Sequence, residues 1–191
     1  MMRYRFKVFN SITTGIKQSG DNFWNSDERG IKPVMVLRKL ALDSLVKIKV
    51  QEKLLRERNI WPYKSYSDFI SDFHRTNELR KKALVNKQVV YGPVEYSEET
   101  FFDYRFSNAL IQLKQQLLSE KVIVITDEEL ENQFKVMQKT HYAKEKYTLK
   151  AYERQVKEAR VETEYAMLVD KHYKKAIRNI DQSKLNTIHT Y

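Results

Sequence analysis

Cysteine is absent from the 191 residues, which excludes disulfides, thiol catalysis and cysteine-ligated zinc but leaves the compartment open. Glycine and proline are nearly as scarce: four and three residues, with none of either beyond Pro93. So few chain breakers favour long helices over a many-turned β architecture. No stretch approaches the roughly 18 apolar residues of a membrane span. Acidic residues are missing between Met1 and Ile16, where Arg3, Arg5 and Lys7 interrupt every apolar run. The continuous apolar core and small-residue cleavage site of a signal peptide are lacking there.

Signatures of enzyme chemistry are missing as well, and the one route left open is a helical metal site that draws its ligands from distant segments. A phosphate-cradling loop needs closely spaced glycines, and the nearest pair, Gly15 and Gly20, is five residues apart. His74, His141, His172 and His189 stand singly, without the i, i+4 spacing of a helical zinc site. No Gly-x-Ser-x-Gly elbow is present. The acidic groups Glu98-Glu99 and Asp127-Glu128-Glu129 open expected helices, where carboxylates offset the macrodipole, so they read as capping residues rather than as acid–base pairs. No cofactor or metal is implied.

What the sequence does hold is ordinary for a globular chain: 41% hydrophobic and 31% charged residues. A chain of this length buries roughly two-thirds of its unfolded surface. The net charge of +10 favours anionic partners, nucleic acid or an anionic polymer among them, or is simply a solvated, lysine-rich surface.

Apolar spacing predicts helices along most of the chain. Met2, Phe6, Phe9, Ile12 and Ile16 suggest a short one, with a strand as the alternative, followed by a loop running through Phe23-Trp24 to Gly30. Pro33 suits a first turn, and Leu37, Ala41, Leu45, Ile48 and Leu55 form a stripe ending before Asn59 and Pro62. Ser65 with Asp68 resembles a capping box, opening a helix through Phe69, Ile70, Phe73, Ala83 and Leu84. Val89-Val90-Tyr91 is a brief extended piece closed by Gly92-Pro93. Ser97 caps a helix with Phe101, Tyr104, Asn108, Ile111 and Leu118 along one face. Lys121 to Ile125 is a connector. Thr126 to Glu129 forms a second capping box, before Leu130, Phe134 and Met137.

From Gln138 to Arg160 the stripe thins, with seven basic residues against three acidic ones, and the stretch reads as a linker or an exposed helix. A break at Val161-Glu162-Thr163, with Thr163 as N-cap, is expected to precede a final amphipathic helix through Tyr165, Leu168, Val169, His172, Tyr173, Ala176 and Ile177. Residues after Asp181 read as a tail.

Aromatic residues are plentiful: 12 Tyr, nine Phe and two Trp. Most belong in a core, yet Phe101, Phe102, Tyr104 and Phe106 cannot all lie on one narrow helix face. A second surface must take some of them. Phe69, Phe73, Phe101, Phe102 and Tyr104 are therefore the candidates for a peptide-binding cleft, and burial of all five in the core is the alternative. Asn77 and Arg80 share a helix face from which they can hydrogen-bond the carbonyls of the Tyr91-Gly92 turn.

The order of features resembles the N-terminal, substrate-holding domain of SurA/PrsA-type foldases. The residues that carry the likeness are Phe23-Trp24, Gly30, Pro33, Ala41 to Val46 and Lys49-Val50-Gln51. Tyr66, Phe69, Asn77 to Arg80, Val90 to Pro93, Ser97 to Glu99, Phe102 to Tyr104, Asn108, Leu113-Lys114 and Thr126 to Leu130 continue it. Glu158 to Val161 and Tyr173 to Ile177 resemble the C-terminal segment that returns to the N-terminal lobe in such proteins, so the likeness spans residues 20–135 and 155–178.

In those foldases a parvulin domain of about 90 residues, a credible size for a separate domain, lies between the two parts. Here some 20 residues, from Gln138 to Lys157, fill the interval, so no isomerase residues carry over. The resemblance implies an all-α chain with a SurA-like helical domain over 1–137, a basic segment over 138–160, and a C-terminal helix and tail over 161–191 packed on the first lobe. It implies a non-catalytic holder of unfolded or partly folded polypeptide in an extracytoplasmic or cell-envelope setting, a signal peptide having been removed. If the N-terminus is native, the setting is cytoplasmic. A basic nucleic-acid or anionic-polymer binder is the alternative function.

Overall fold

The computed structural model describes Val8 and residues 23–24, 26–27, 30, 32–140 and 148–180. Among the described residues the chain is all-helical, without strands. The main helices are α1 (Pro33–Glu57), α2 (Tyr66–Val85), α3 (Glu98–Ser119), α4 (Asp127–Thr140) and α5 (Leu149–Ile177). The expected segment over Met2–Ile16 lies outside the described residues apart from Val8, which is helical and buried. The expected tail after Asp181 lies outside them as well. Phe23-Trp24, expected in a loop, is helical.

The helix starts follow the local chemistry of the sequence. Pro33 occupies the first turn of α1, where its missing N–H costs nothing. Ser65 and Asp68 form a reciprocal capping box on α2, with the Asp68 amide donating to Ser65 Oγ at 3.1 Å and the Ser65 amide to the Asp68 carboxylate at 3.0 Å. Ser97 accepts from the Thr100 amide at the start of α3. Thr126 and Glu129 form the second capping box, at α4.

The helix ends are less expected. Asn59, Lys87 and Lys121 follow α1, α2 and α3, each in the left-handed region at φ 56°, 56° and 58°. After each, the next amide reaches back to close a Schellman turn: Ile60 to Leu55 O, Gln88 to Ala83 O and Val122 to Leu117 O, all at 2.9 Å. Three helices thus stop at a position usually given to glycine in a chain that has almost none.

The chain divides into two compact units. The first comprises Met1–Val50 and Val169–Tyr191. In it Phe23, Leu37, Val46, Val50 and Val169 are buried, and the Tyr173 hydroxyl donates to Asp43 Oδ1 at 2.5 Å. The second comprises Gln51–Leu168. Its core gathers Leu54, Leu55, Trp61, Tyr63, Phe69, Phe101, Phe106, Leu113, Leu117, Ile123, Val156, Val161 and Tyr165. Tyr165 accepts a hydrogen bond from Gln51 Nε2 at 2.9 Å, and Lys114 pairs with Glu162. In each unit a residue of α5 is thus hydrogen-bonded to one of α1.

Three sequence expectations are corrected. On α1 Leu45 is 54% exposed, and Val46, Val50 and Leu54 join the expected Leu37 and Leu55 in the buried stripe. On α3 the buried positions are Phe101, Phe106, Ala109, Leu113 and Leu117, while Tyr104, Asn108 and Ile111 are exposed. That helix offers two apolar faces, and the face turned inward is the one that meets Trp61 and Phe69. Finally, α5 runs unbroken through Val161-Glu162-Thr163 and begins at Leu149, inside the stretch read as a linker or exposed helix. Thr163 does not cap a helix. Its hydroxyl donates back to Ala159 O at 3.0 Å, as a mid-helix threonine does.

Candidate functional site

The second unit is organised by aromatic packing between α2 and α3. Trp61 meets Tyr63, Phe102 and Phe106 edge-on, with centroids 5.1, 6.1 and 5.6 Å away. Phe69 meets Tyr63 and Phe101, and Phe101 meets Phe73 and Tyr96. Edge-to-face rings at these separations add about 0.5–1.5 kcal/mol per pair beyond their area burial.

A polar bolt closes this cluster. The Tyr63 hydroxyl donates to Asp72 Oδ2 at 2.6 Å, and Arg105 and Arg75 each donate to the same carboxylate at 2.5 Å. Burial pushes the Tyr63 hydroxyl up to about 12, helped by its bond to Asp72. Burial also raises Asp72, but the donations from Arg75 and Tyr63 and the charge of Arg105 outweigh it and hold the carboxyl below its usual range. With both oxygens occupied, Asp72 is a structural acceptor rather than a base.

Of the five sequence-predicted cleft residues, four come together in this cluster. Phe101 and Phe69 are buried, at 0% and 6% exposure, and offer no surface to a ligand, whereas Phe73 and Phe102 are half-buried. Tyr104 alone is open, at 49%. It stacks on Tyr96 at 5.6 Å and 18° and lies on the wall of a groove of about 900 Å³.

That groove runs between the C-terminal half of α2 and the N-terminal half of α3. Thr76, Leu79 and Ala83 form one wall, Thr100, Asp103, Tyr104 and Ser107 the other, and Val89 to Pro93 the end. Leu79, Val89 and Tyr91 are 60%, 77% and 85% exposed, a concentration of free apolar surface. Asn77 and Arg80 hold the loop that shapes it. Arg80 donates through Nη2 to Tyr91 O at 2.7 Å and through Nε to Pro93 O at 2.9 Å, with its guanidinium 4.7 Å from the Tyr96 ring. This is the contact expected from helical spacing. Asn77, buried at 4%, reaches one turn further: it donates to Tyr96 O at 3.0 Å and accepts from the Tyr96 amide at 2.9 Å. Gly92, at φ 81°, makes the turn between these anchors.

Leu79 and Tyr91 were not legible as site residues. Leu79 falls off the buried stripe of α2, which was the available signal: a large apolar residue on the polar side of a helix beside a β-branched turn.

A second concavity, of about 1110 Å³, lies between α3 and α5 and is lined by Ile111, Leu118, Lys150, Arg154 and Lys157 among others. Its charges are largely mixed, with Glu153, Glu158 and Glu162 interleaved. Among the described residues no three His, Asp or Glu side chains gather as a metal site, and no helix is long and apolar enough to cross a membrane. No family model, curated protein or solved structure matches this chain.

Proposed function

We propose that this chain is a non-catalytic, chaperone-like module that holds unfolded or extended polypeptide, with the α2–α3 groove as its binding surface. The observation that carries the reading is the groove itself: Leu79, Val89, Tyr91 and Tyr104 are exposed around it, and Arg80 and Asn77 fix the loop that closes its end. A pre-formed apolar surface with few directional polar groups binds by covering client hydrophobic area, at low sequence selectivity and without ordering cost in the holder. The resemblance to the substrate-holding domain of SurA/PrsA-type foldases supports the same function and an extracytoplasmic or cell-envelope setting. The short interval where those proteins carry a parvulin domain supports the absence of isomerase activity.

The experiment is aggregation of a chemically unfolded client followed by light scattering. The chain at several-fold excess is expected to suppress scattering, and Tyr104→Ala combined with Leu79→Ser to weaken suppression while leaving helicity unchanged. No suppression by the unaltered chain overturns the reading.

A basic anionic-polymer binder is favoured by one feature, the i, i+4, i+7 row Lys150, Arg154 and Lys157 on α5. Against it stand Glu153 and Glu158 on the same wall, the second of which pairs with Arg154 at 2.9 Å. Carboxylates among the cations repel phosphate, so this reading is the weaker of the two.

A further inference from the structure

Gln88–Tyr91 leaves α2 through the left-handed turn at Lys87, and Arg80 pins its far end at Tyr91 O and Pro93 O. Between these anchors the backbone amides and carbonyls of Val89 and Val90 meet no hydrogen-bond partner among the described residues. Two β-branched residues followed by a tyrosine have the composition of a strand. A held stretch of unpaired backbone of that kind is a template for another chain. Beside it lies the apolar groove, and on the groove wall Asp103 is exposed, apart from the ion pairs of the described residues.

We infer that the groove takes its client as an added strand, an extended segment laid along Val89–Val90 and hydrogen-bonded to their backbone. Alternate apolar side chains of the segment rest against Leu79 and Tyr104, since every second residue of a strand shares one face. A lysine or arginine of the client sits beside Asp103. A helical client satisfies its own backbone and would leave Val89 and Val90 unpaired, so an extended one fits better. The preference for a basic flank runs against the chain's net charge of +10, which by itself would draw acidic clients. The inference deepens the holding function proposed above and rests on it.

The test is fluorescence anisotropy on the full chain with a labelled decapeptide of alternating leucine and serine carrying one lysine. Two further versions are N-methylated at alternate amides, one on each edge. Methylation on one edge is expected to weaken binding at least tenfold and on the other to change it little, because a strand pairs through one edge. Equal effects of the two patterns, small or large, overturn the inference. Replacing the peptide lysine by glutamate should weaken binding at least threefold, with Asp103→Lys reversing the preference; no reversal removes the assigned role of Asp103. A chain that suppresses client aggregation but ignores the unmodified decapeptide loses this inference and keeps the holding function. Failure in both assays removes both.

Discussion

Asn77 is the most consequential single side chain of the groove, because it is buried and makes both hydrogen bonds to the Tyr96 backbone. Asn77→Ala leaves that amide and carbonyl without partners, at a cost of about 1–3 kcal/mol. Arg80→Ala removes charge-assisted bonds nearer the surface, and about 1–2 kcal/mol is expected. Both should appear as lower urea midpoints; an unchanged midpoint for either contradicts its role as a loop anchor. Tyr63 and Asp72 each contribute to the pH response. Tyr63 titrates at about 12 when folded against 10.0 ordinarily, so its contribution is complete below pH 10 and lost as pH rises from 10 to 12. Asp72 is shifted down, so its contribution is present above its ordinary value of 3.8 and lost as pH falls through the lower folded value. Tyr63→Phe should flatten the alkaline limb of a melting-temperature profile between pH 10 and 12. An alkaline limb of unchanged slope argues against the Tyr63–Asp72 bond.

Among the elements, the helix ends hold the clearest stored strain. A residue with a Cβ in the left-handed region costs about 1 kcal/mol, and Lys87 and Lys121 are exposed there without packing to lose. Glycine relieves that strain at some entropic cost in the unfolded chain. Lys87→Gly and Lys121→Gly should therefore each stabilise by a few tenths to about 1 kcal/mol, read as a raised urea midpoint. Asn59→Gly should gain less, because asparagine already tolerates this conformation. Loss of stability in both lysine variants contradicts the assignment of these turns. Helix α3 shows a second property of elements: apolar residues on two faces. One face fills the aromatic core, and the other leaves Tyr104 and Ile111 open to the two concavities.

For the whole molecule, net charge and groove make opposite demands on a binding assay. Held client should remain bound as salt is raised, since apolar burial does not depend on counterions. A phosphate-binding surface would lose roughly a thousandfold or more in affinity between about 50 and 200 mM salt. Tight, salt-sensitive binding of RNA or DNA with no effect on client aggregation would favour the anionic-polymer function. The chain is also expected to leave prolyl cis–trans exchange in a test peptide at its uncatalysed rate, with its barrier of about 18–20 kcal/mol. Acceleration above the buffer control would contradict the non-catalytic assignment.

Sequence alone determined the helical class and most helix starts, because these depend on neighbours a few residues apart. Ser65 with Asp68, Ser97, and Thr126 with Glu129 carry their caps locally, and Arg80 lies 11 residues before the Tyr91 carbonyl it holds. Tertiary structure decided which face of each helix turns inward. Leu45 against Val46, and Tyr104 against Phe106, are equally apolar to a periodicity argument, and only their packing partners separate core from surface. It also decided the continuity of α5, where Val156 and Val161 find buried positions that a basic, sparsely apolar sequence does not announce. The groove belongs to the same class of decision. Phe101 and Tyr104 lie three residues apart on one helix, and the rings gathered around Phe101 enclose it while leaving Tyr104 in solvent.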